Sequence, residues 1–440
     1  MSVVIVVLSV LVGGIATVTL WWTVHAWRTP ETLAGTRFAE PDRHHELSFS
    51  LLLPARHEEG VLAHTVTRML ESTHTEYEIV VIVGHDDPGT SAVAERLARQ
   101  RPDRVRVVVD HHPVKNKPRA LNTALPTCRG QIVGVFDAED VVHPELLHHV
   151  DHAFSTTGAD VVQGGVQLIN YHSSWYSLRN CLEYFFYFRS RLHLHAEKGF
   201  IPLGGNTVFV RTDVLRAAGG WDGDCLAEDC DLGVRLSSRG KKVVVAYDSM
   251  IVTREETPDS LGALVKQRTR WNQGFLQVLA KGDWKQLPTV WGRALALYTL
   301  SGPFLQAFSG VVTPLGLVLA LTFDLPAAVA LVTFLPFIPT LATLLFELVG
   351  LHDFGVQYGL RIKLRHYVLL AVGAPVYTLV LSYAAVRAVV RHLRGRNDWE
   401  LTRHIGAHLG DAAVPAAAVV PAVGRAAVVP APRDSTEVAA

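Results

Sequence analysis

The sequence predicts an α/β fold with a mainly parallel sheet, placed between membrane-spanning segments. Three observations lead to this prediction. Short runs of β-branched residues alternate with helical stretches through the middle of the chain, as in layered α/β proteins. Uncharged apolar segments lie at residues 2–23 and again after residue 294. A polar middle between two apolar regions, within 440 residues, indicates one globular domain and several membrane helices.

The first predicted element is a membrane anchor over residues 1–27. The run SVVIVVLSVLVGGIATVTLWW carries no charge, and at about 1.5 Å per residue it crosses a hydrocarbon core of about 30 Å. It lacks a basic n-region and a small-residue cleavage site, so we interpret it as an anchor and not as a cleaved signal peptide. By the positive-inside rule, the basic residues that follow predict an outside N-terminus and a cytoplasmic middle domain. They are His25, Arg28, Arg37 and Arg43.

The middle domain, residues 46–290, is predicted to alternate strands and helices. Its candidate strands are near-continuous apolar runs, which is typical of strands buried on both faces. The candidate strands cover residues 47–53, 78–84, 104–109, 131–137 and 242–247, and the candidate helices cover 58–71, 89–100 and 144–156. Because ligands of such sheets bind beyond the carboxyl ends of the strands, polar residues at those ends are the first candidates for a site.

Two of these strands run into acidic clusters. Asp86 and Asp87 follow one strand, and Asp137, Glu139 and Asp140 follow another. Turn formation and helix capping explain an isolated acidic pair. Carboxylates crowded at one sheet edge are also the usual environment of Mg²⁺ or Mn²⁺ beside a substrate diphosphate. Both interpretations stay open at this point.

A third acidic cluster crowds the start of a short predicted helix within residues 225–240. It contains Glu228, Asp229 and Asp231. The helix dipole stabilises acids at a helix N-terminus, by about 0.3–1 kcal/mol each at exposed sites, and this could explain all three. The functional alternative is that one carboxylate acts as a general base.

The segment QRTRWNQG, residues 267–274, combines an amide, two guanidinium groups and an indole. On a helix, Gln267, Arg270 and Trp271 share one face, while Arg268 points elsewhere. That face suits a phosphate and a sugar ring. The alternative is a helix in the membrane interface, with Trp at the headgroups and Arg reaching into water.

A predicted C-terminal membrane region, residues 291–392, contains three apolar runs, at about residues 294–322, 325–346 and 367–389. Basic residues precede these runs and also follow them in the segment 393–410, which we expect in the cytoplasm. Three passes would leave that segment outside. We therefore expect an even number of passes. Either the first run crosses twice, or one run lies in the membrane or re-enters it. Residues 411–440, rich in Ala, Val and Pro, are predicted to be disordered.

Composition and missing motifs argue against several classes of protein. A formal net charge of zero argues against nucleic-acid binding. The four cysteines form no CxxC pair and indicate reduced thiols. There is no G-x-x-x-x-G-K-[ST] loop and no G-x-G-x-x-G after a strand, so a kinase, an ATPase or an NAD enzyme is not expected.

Eight short motifs occur in an order that resembles the membrane-embedded family-2 glycosyltransferases, the group that includes cellulose, hyaluronan and chitin synthases. They are LPARHEE, DDPGT, KPRALN, FDAED, PLGGN, GGWD, AEDCDLGVRL and QRTRW, within residues 46–275, and NDWELTRH extends the resemblance more weakly. The resemblance implies a cytosolic GT-A domain, a nucleotide-sugar donor, usually a UDP-sugar, and a divalent cation, Mg²⁺ or Mn²⁺.

On the donor side, the resemblance implies that Asp86 or Asp87 contacts the nucleoside and that Lys117 lies beside the donor. Asp137 and Arg270 would adjoin the diphosphate. Asp137 and Glu139 match the family's D-x-D pair and would bind the metal. Asp140 is a substitute for Glu139 as a metal ligand.

On the acceptor side, Asp229 matches the general base of the family's T-E-D motif, with Glu228 beside it. The residues matching Q-x-x-R-W border the acceptor and the diphosphate; they are Gln267, Arg270 and Trp271. Gly205 of PLGGN is expected on the same side. The chain departs from the family's motifs at three places. Glu139 stands where D-x-D has its second Asp, and Ala227 stands where T-E-D has Thr. The segment expected to contact the nucleoside is GHDDPG, where many members have an Asp-Asp-Gly-Ser run.

The implied reaction is inverting transfer to a growing β-linked polysaccharide at the cytoplasmic membrane face, with export or accessory proteins as further partners. Transfer of a single sugar to a lipid or short acceptor is the alternative, since it would use the same donor motifs. A transporter with a cytosolic regulatory domain is less expected, because the apolar runs contain few charges.

Overall fold

The computed structural model describes residues 2–25, 47–398 and 400. An N-terminal helix, α1 (Ser2–His25), is followed by an α/β domain and by a group of long apolar helices. Three of the four basic residues expected to set the orientation lie outside the described residues, as do the predicted tail 411–440 and most of the segment 393–410. The three are Arg28, Arg37 and Arg43.

Nine strands form two sheets in the described part of the chain. They are β1 Phe49–Ala55, β2 Tyr77–Gly84, β3 Val105–Asp110, β4 Ile132–Val135, β5 Val161–Gly164, β6 Val166–Leu168, β7 Val208–Arg211, β8 Val243–Ala246 and β9 Thr253–Glu255. Seven of them make one sheet in the order β3-β2-β1-β4-β7-β5-β8, and β6 pairs with β9. All pairs are parallel except those of β7, which is antiparallel to both neighbours.

The five predicted strands are present because each is apolar on both faces. In β1, Leu51 and Leu53 pack into one core while Leu52 packs into the core on the opposite face. The prediction of a mainly parallel sheet is therefore correct, apart from the reversed strand β7. The strands that the sequence did not predict, β5, β6, β7 and β9, have three or four residues, too few for a periodic pattern.

Helices cover both faces of the large sheet. Side chains of α2, α3 and α5 contribute to one core, and side chains of α4, α8 and α9 contribute to the other. The bounds are α2 Leu62–Leu70, α3 Pro88–Gln100, α4 Lys117–Ala124, α5 Leu146–Thr157, α6 Ser177–Phe186, a π-helical turn Tyr187–Arg191, α7 Leu192–Glu197, α8 Thr212–Ala217, α9 Glu228–Ser238 and α10 Leu261–Lys281.

Helix α10 carries the QRTRWNQG segment and packs directly on the start of α9. Its N-terminus is capped by the Ser260 hydroxyl, and it ends at Gly282, which has a left-handed φ of 83°. A Cβ atom at Gly274 would lie 2.4 Å from the Ala227 Cβ. The missing side chain at position 274 therefore lets the two backbones approach, which fixes α10 against the acidic end of α9.

The C-terminal region contains five helices: α11 Val290–Leu300, α12 Gly302–Thr322, α13 Ala327–Phe334, α14 Phe337–Gln357 and α15 Leu364–Leu393. Four helical stretches among the described residues are long and apolar enough to cross a membrane, namely 2–25, 302–322, 327–357 and 364–393. Helix α1 packs against α12, α13 and α14, so these helices form one bundle.

Helix α14 returns from this bundle to the α/β domain. Glu347 accepts two hydrogen bonds from Arg179 of α6, at 3.2 and 2.7 Å, and Asp353 pairs with Arg189 of the π-helical turn. Charged pairs of this kind belong at the domain side and not at the centre of a bilayer.

Helix α15 contacts the α/β domain along most of its length. The contacts, in order along the helix, are His366 with Tyr171, Tyr377 with Trp175, Ala384 with Thr269 and Arg391 with Gln273. At about 1.5 Å per residue these contacts extend over about 38 Å, more than the hydrocarbon thickness of about 30 Å. Contact with the domain over this distance favours a course along the membrane surface over a crossing of the bilayer. We therefore expect α15 to lie in the membrane surface, which leaves an even number of passes after the domain.

Cysteine labelling in intact cells tests this arrangement. We expect Asp324→Cys, between α12 and α13, to react with a membrane-impermeant thiol reagent from outside the cell. Arg361→Cys and Arg394→Cys, at the two ends of α15, should react after the cells are permeabilised and not before. The parent chain is the control, because its four cysteines are buried. Labelling of Arg394→Cys from outside would mean that α15 crosses the membrane.

Candidate active site

The carboxyl ends of β1, β2 and β4 lie side by side in the sheet and bring three loops together. Arg56 follows β1, Asp86 and Asp87 follow β2, and Asp137 follows β4. The two acidic strand ends that the sequence singled out therefore meet at one edge of the sheet.

Asp86 and Asp87 differ in what their carboxylates contact. Asp87 is buried and caps α3: one oxygen accepts the Thr90 N–H at 3.2 Å, and the other accepts the His57 N–H at 2.6 Å. Asp86 faces outward and accepts two hydrogen bonds from the Arg56 guanidinium, at 3.0 and 2.9 Å. That guanidinium lowers the pKa of Asp86 to about 2. Asp87 thus holds the loop, and Asp86 is the accessible member of the pair.

Lys117, the first residue of α4, extends its side chain between two parts of the sheet edge. Its ammonium group donates hydrogen bonds to the Asp137 carboxylate and, at 2.6 Å, to the Gly205 carbonyl oxygen. Burial lowers the pKa of Lys117, but the nearby carboxylates of Asp137, Glu228 and Asp229 raise it above its ordinary value. The lysine therefore stays charged and adjoins both acidic clusters.

Gly205 separates Lys117 from the predicted base. A Cβ atom at this position would lie 3.0 Å from the Asp229 Oδ2 and 3.8 Å from the Lys117 Nζ. The glycine therefore leaves space between the Lys117 and Asp229 side chains.

Asp140 is fully buried behind Asp137. Its Oδ2 accepts the Asp137 N–H at 2.8 Å, and its Oδ1 accepts the Asn206 amide at 2.8 Å. The Asn206 amide also donates to Glu255 of β9. With both oxygens engaged inside the protein, Asp140 supports the loop geometry and is less suited than Glu139 to the predicted role of a metal ligand.

Four carboxylates crowd this part of the edge, and burial with mutual repulsion raises two of their pKa values. Burial, followed by the charges of Asp137 and Glu139, raises the pKa of Glu255 to about 7. Burial, followed by the charge of Glu255, raises the pKa of Asp140 well above its ordinary value. A divalent cation would relieve such repulsion, so the residues fit one.

The carboxylates at this edge could supply only part of a metal coordination shell. Among the described residues, no group of three or more His, Cys, Asp or Glu side chains is arranged to bind a metal ion. Asp137 and Glu139 would therefore hold a cation together with oxygens of a bound diphosphate, which is the usual arrangement for Mg²⁺.

Glu228 and Asp229 form the first turn of α9, on the other side of Lys117. Burial, followed by the charge of Asp229, raises the pKa of Glu228 to about 7. Burial also raises the pKa of Asp229, which the charges of Lys117 and Arg270 partly offset. The Asp229 Oδ1 accepts the Cys230 N–H at 2.7 Å, which orients the carboxylate.

The predicted face of α10 meets this acidic turn. Arg270 is close enough to Glu228 and Asp229 for its charge to oppose part of the rise that burial causes in both of their pKa values. The Gln267 Oε1 is buried and has no hydrogen-bond partner among the described residues. The Trp271 ring lies 6.4 Å from the Tyr184 ring of α6, tilted by 43°. One helix face thus offers a guanidinium, an unsatisfied amide oxygen and an indole to the same space.

Arg268 does not point away from this group as the helical spacing predicts. Its guanidinium lies 4.6 Å from the centre of the Trp271 ring. The expectation failed because positions 268 and 271 are three residues apart and are therefore neighbours on the helix surface, which the choice of Gln267, Arg270 and Trp271 as one face did not consider.

The sequence interpretation did not select three residues that help to shape the site, Arg56, Asn206 and Glu255. Arg56 and Asn206 stand within the LPARHEE and PLGGN segments, but neither side chain is by itself a ligand signal. Glu255 ends a three-residue strand and has no recognisable pattern around it. Only the pairing of β6 with β9 brings it to the acidic cluster.

Two curated proteins show what this chain is similar to. Beta-monoglucosyldiacylglycerol synthase of Trichormus variabilis is 29% identical over 253 residues, 55% of this chain and 53% of that protein. Poly-beta-1,6-N-acetyl-D-glucosamine synthase of Staphylococcus aureus is 24% identical over 253 residues, 54% of this chain and 57% of that protein. The chain spans about half the length of the curated relatives it matches.

Among solved structures, the mannosyltransferase PcManGT from Pyrobaculum calidifontis, in complex with GDP-Man and Mn²⁺, has a TM-score of 0.60 to this chain at 17% identity. The match covers 89% of this chain and 99% of that one. At this identity the likeness shows the fold, and it confirms the predicted GT-A core with accompanying apolar helices.

A family model described as Glycosyltransferase like family 2 matches residues 45–274, just over half of the chain. The matched region begins before β1 and ends within α10, so it contains every residue of the edge described above. The chain therefore belongs to glycosyltransferase-like family 2.

Proposed function

We propose that this protein transfers one sugar from a nucleotide-sugar to a hydroxyl of a lipid acceptor at the cytoplasmic membrane face, with inversion at the anomeric carbon.

 The observation that supports this proposal most strongly is that the candidate base, the Lys117–Asp137 pair and the Arg270 guanidinium lie close together. Asp229 adjoins the Lys117–Asp137 pair across Gly205, and Arg270 faces it from α10.

In this mechanism Asp229 is the general base. Its Oδ1 is engaged by the Cys230 N–H, while its Oδ2 faces the space that Gly205 leaves open. The carboxylate takes the proton of the acceptor hydroxyl as that oxygen bonds to the anomeric carbon. The bond from this carbon to the diphosphate breaks, and the nucleoside diphosphate leaves from the opposite face. A single base suffices, so no covalent sugar–enzyme intermediate forms.

The positive groups of the edge serve the leaving diphosphate. Arg270 and Lys117 supply fixed charge where negative charge develops. A divalent cation held by Asp137 and Glu139 would add charge neutralisation to the same oxygens. At the far end of the edge, the paired side chains of Arg56 and Asp86 would face the nucleoside.

The acceptor is proposed to be a lipid because the acceptor side of the site adjoins the membrane helices. Helix α10, with Gln267 and Trp271, packs along α15, which we expect in the membrane surface. The relative from Trichormus variabilis is named for a glycolipid product, which supports the same choice. Processive polymer synthesis is the second candidate, supported by the Q-x-x-R-W residues and by the Staphylococcus aureus relative.

Substitution of Asp229 tests the assignment of the base. We expect Asp229→Asn to lower sugar transfer by roughly 10²-fold or more, because the amide cannot take the acceptor proton. Binding of the nucleoside diphosphate, measured by calorimetry with Mn²⁺ present, should stay within about twofold of the parent value. Asp213→Asn, an exposed acid on α8, is the matched control and should leave both quantities unchanged. Transfer by Asp229→Asn at the parent rate would rule out this base.

The raised pKa values predict how transfer depends on pH. Because the pKa of Glu228 is raised to about 7, the Glu228–Asp229 pair takes up a proton as the pH falls through that value. A protonated pair accepts the acceptor proton less readily, so kcat/KM should decrease on the acidic side and level off above it. We would measure initial rates from about pH 5.5 to about pH 8.5 with the donor saturating. A constant rate over this range would contradict the assignment.

A further inference from the structure

Arg268 lies outside the proposed catalytic face but contacts its indole. The guanidinium is centred 4.6 Å from the Trp271 ring, and its side chain is 16% exposed. A guanidinium over an indole is a favourable cation–π pair, and it restricts the ring to one orientation. The position of Arg268 therefore affects the position of the Trp271 ring, which is proposed to contact the acceptor.

Two residues of α6 fix the guanidinium. One of its terminal nitrogens donates to the Asn180 Oδ1 and to the Glu183 Oε2, each at 2.5 Å. Charge-assisted hydrogen bonds of this kind are stronger and more directional than neutral ones. Arg268 thus joins α10 to α6 by contacts that are mostly shielded from water.

The same Glu183 oxygen accepts a second hydrogen bond, from the Tyr377 hydroxyl of α15 at 3.0 Å. Tyr377 is buried, while the Glu183 side chain that accepts this bond is 34% exposed. Three helices therefore share one carboxylate, and one of them is the helix expected in the membrane surface.

Trp271 also lies near the residue next to Glu183. Tyr184 of α6 lies 6.4 Å from the indole, with the two rings tilted by 43°. The ring therefore has two neighbours, Arg268 and Tyr184, whose positions depend on α6. A shift of α6 or α15 would move the indole.

We propose that Arg268 is a positioning residue that sets the Trp271 ring for the acceptor, and that Tyr377 and Glu183 connect this setting to the membrane-surface helix α15. The proposal rests on the proposed function, since it takes Trp271 to contact the acceptor. Its consequence is specific. Loss of the network should weaken use of the acceptor without weakening use of the donor, because the Lys117–Asp137 edge takes no part in it.

The experiment compares steady-state kinetics of full-length variants in nanodiscs, with diacylglycerol as acceptor and a nucleotide-sugar as donor. Arg268→Gln should raise the acceptor KM roughly tenfold or more while the donor KM stays within about twofold. Arg268→Lys should recover part of this loss, since it keeps the charge beside Glu183 but not the planar stack. Tyr377→Phe, which removes one oxygen atom and keeps the ring, should raise the acceptor KM roughly threefold.

Tyr383→Phe is the matched control on α15, because Tyr383 is 62% exposed, and its acceptor KM should equal that of the parent. An unchanged acceptor KM in both Arg268→Gln and Tyr377→Phe would overturn the role of Arg268. A fall in kcat alone would also overturn it, since fewer folded molecules produce that result. If the parent protein transfers no sugar to any acceptor, the proposed function itself fails, and this role fails with it.

Discussion

The contact between the Lys117 ammonium group, the Asp137 carboxylate and the Gly205 carbonyl holds the two halves of the site together. Asp137 follows β4, Gly205 precedes β7, and Lys117 begins α4, so three distant parts of the chain meet at one cation. Buried carboxylates on both sides would repel one another without it. The same contact limits what the edge can bind, because a ligand must fit between a fixed positive charge and two acidic clusters.

Helix α10 connects this edge to the membrane helices. Gly274 lets it contact the start of α9, and its opposite side packs along α15. A rigid helix with these two neighbours would relate the depth of a membrane acceptor to the position of Asp229. The proposed chemistry would then need no separate moving part, because α10 contacts both the acidic turn of α9 and the helix α15.

The sequence predicted the parts of the fold that rest on continuous local patterns. The buried strands, the helices between them and the shared face of Gln267, Arg270 and Trp271 follow from apolar runs and helical spacing. It could not predict contacts that form between distant segments. Glu255 reaches the acidic cluster through a pairing of three-residue strands, and Asp87 differs from Asp86 because His57 and Thr90 bind it. The expected course of α15 along the membrane surface rests on its packing against the domain, which hydropathy does not record.

The proposed function depends on a single base, Asp229, that assists transfer of a sugar with inversion to a membrane lipid. The most direct test incubates the purified protein with an α-linked nucleotide-sugar labelled with ¹³C at the anomeric carbon and with diacylglycerol in nanodiscs. Nuclear magnetic resonance then gives the anomeric configuration of the product, and mass spectrometry gives the number of sugars added. Inversion by a single base predicts one β-linked sugar on the lipid. An α-linked product would contradict inversion, and a long polymer would contradict the lipid acceptor.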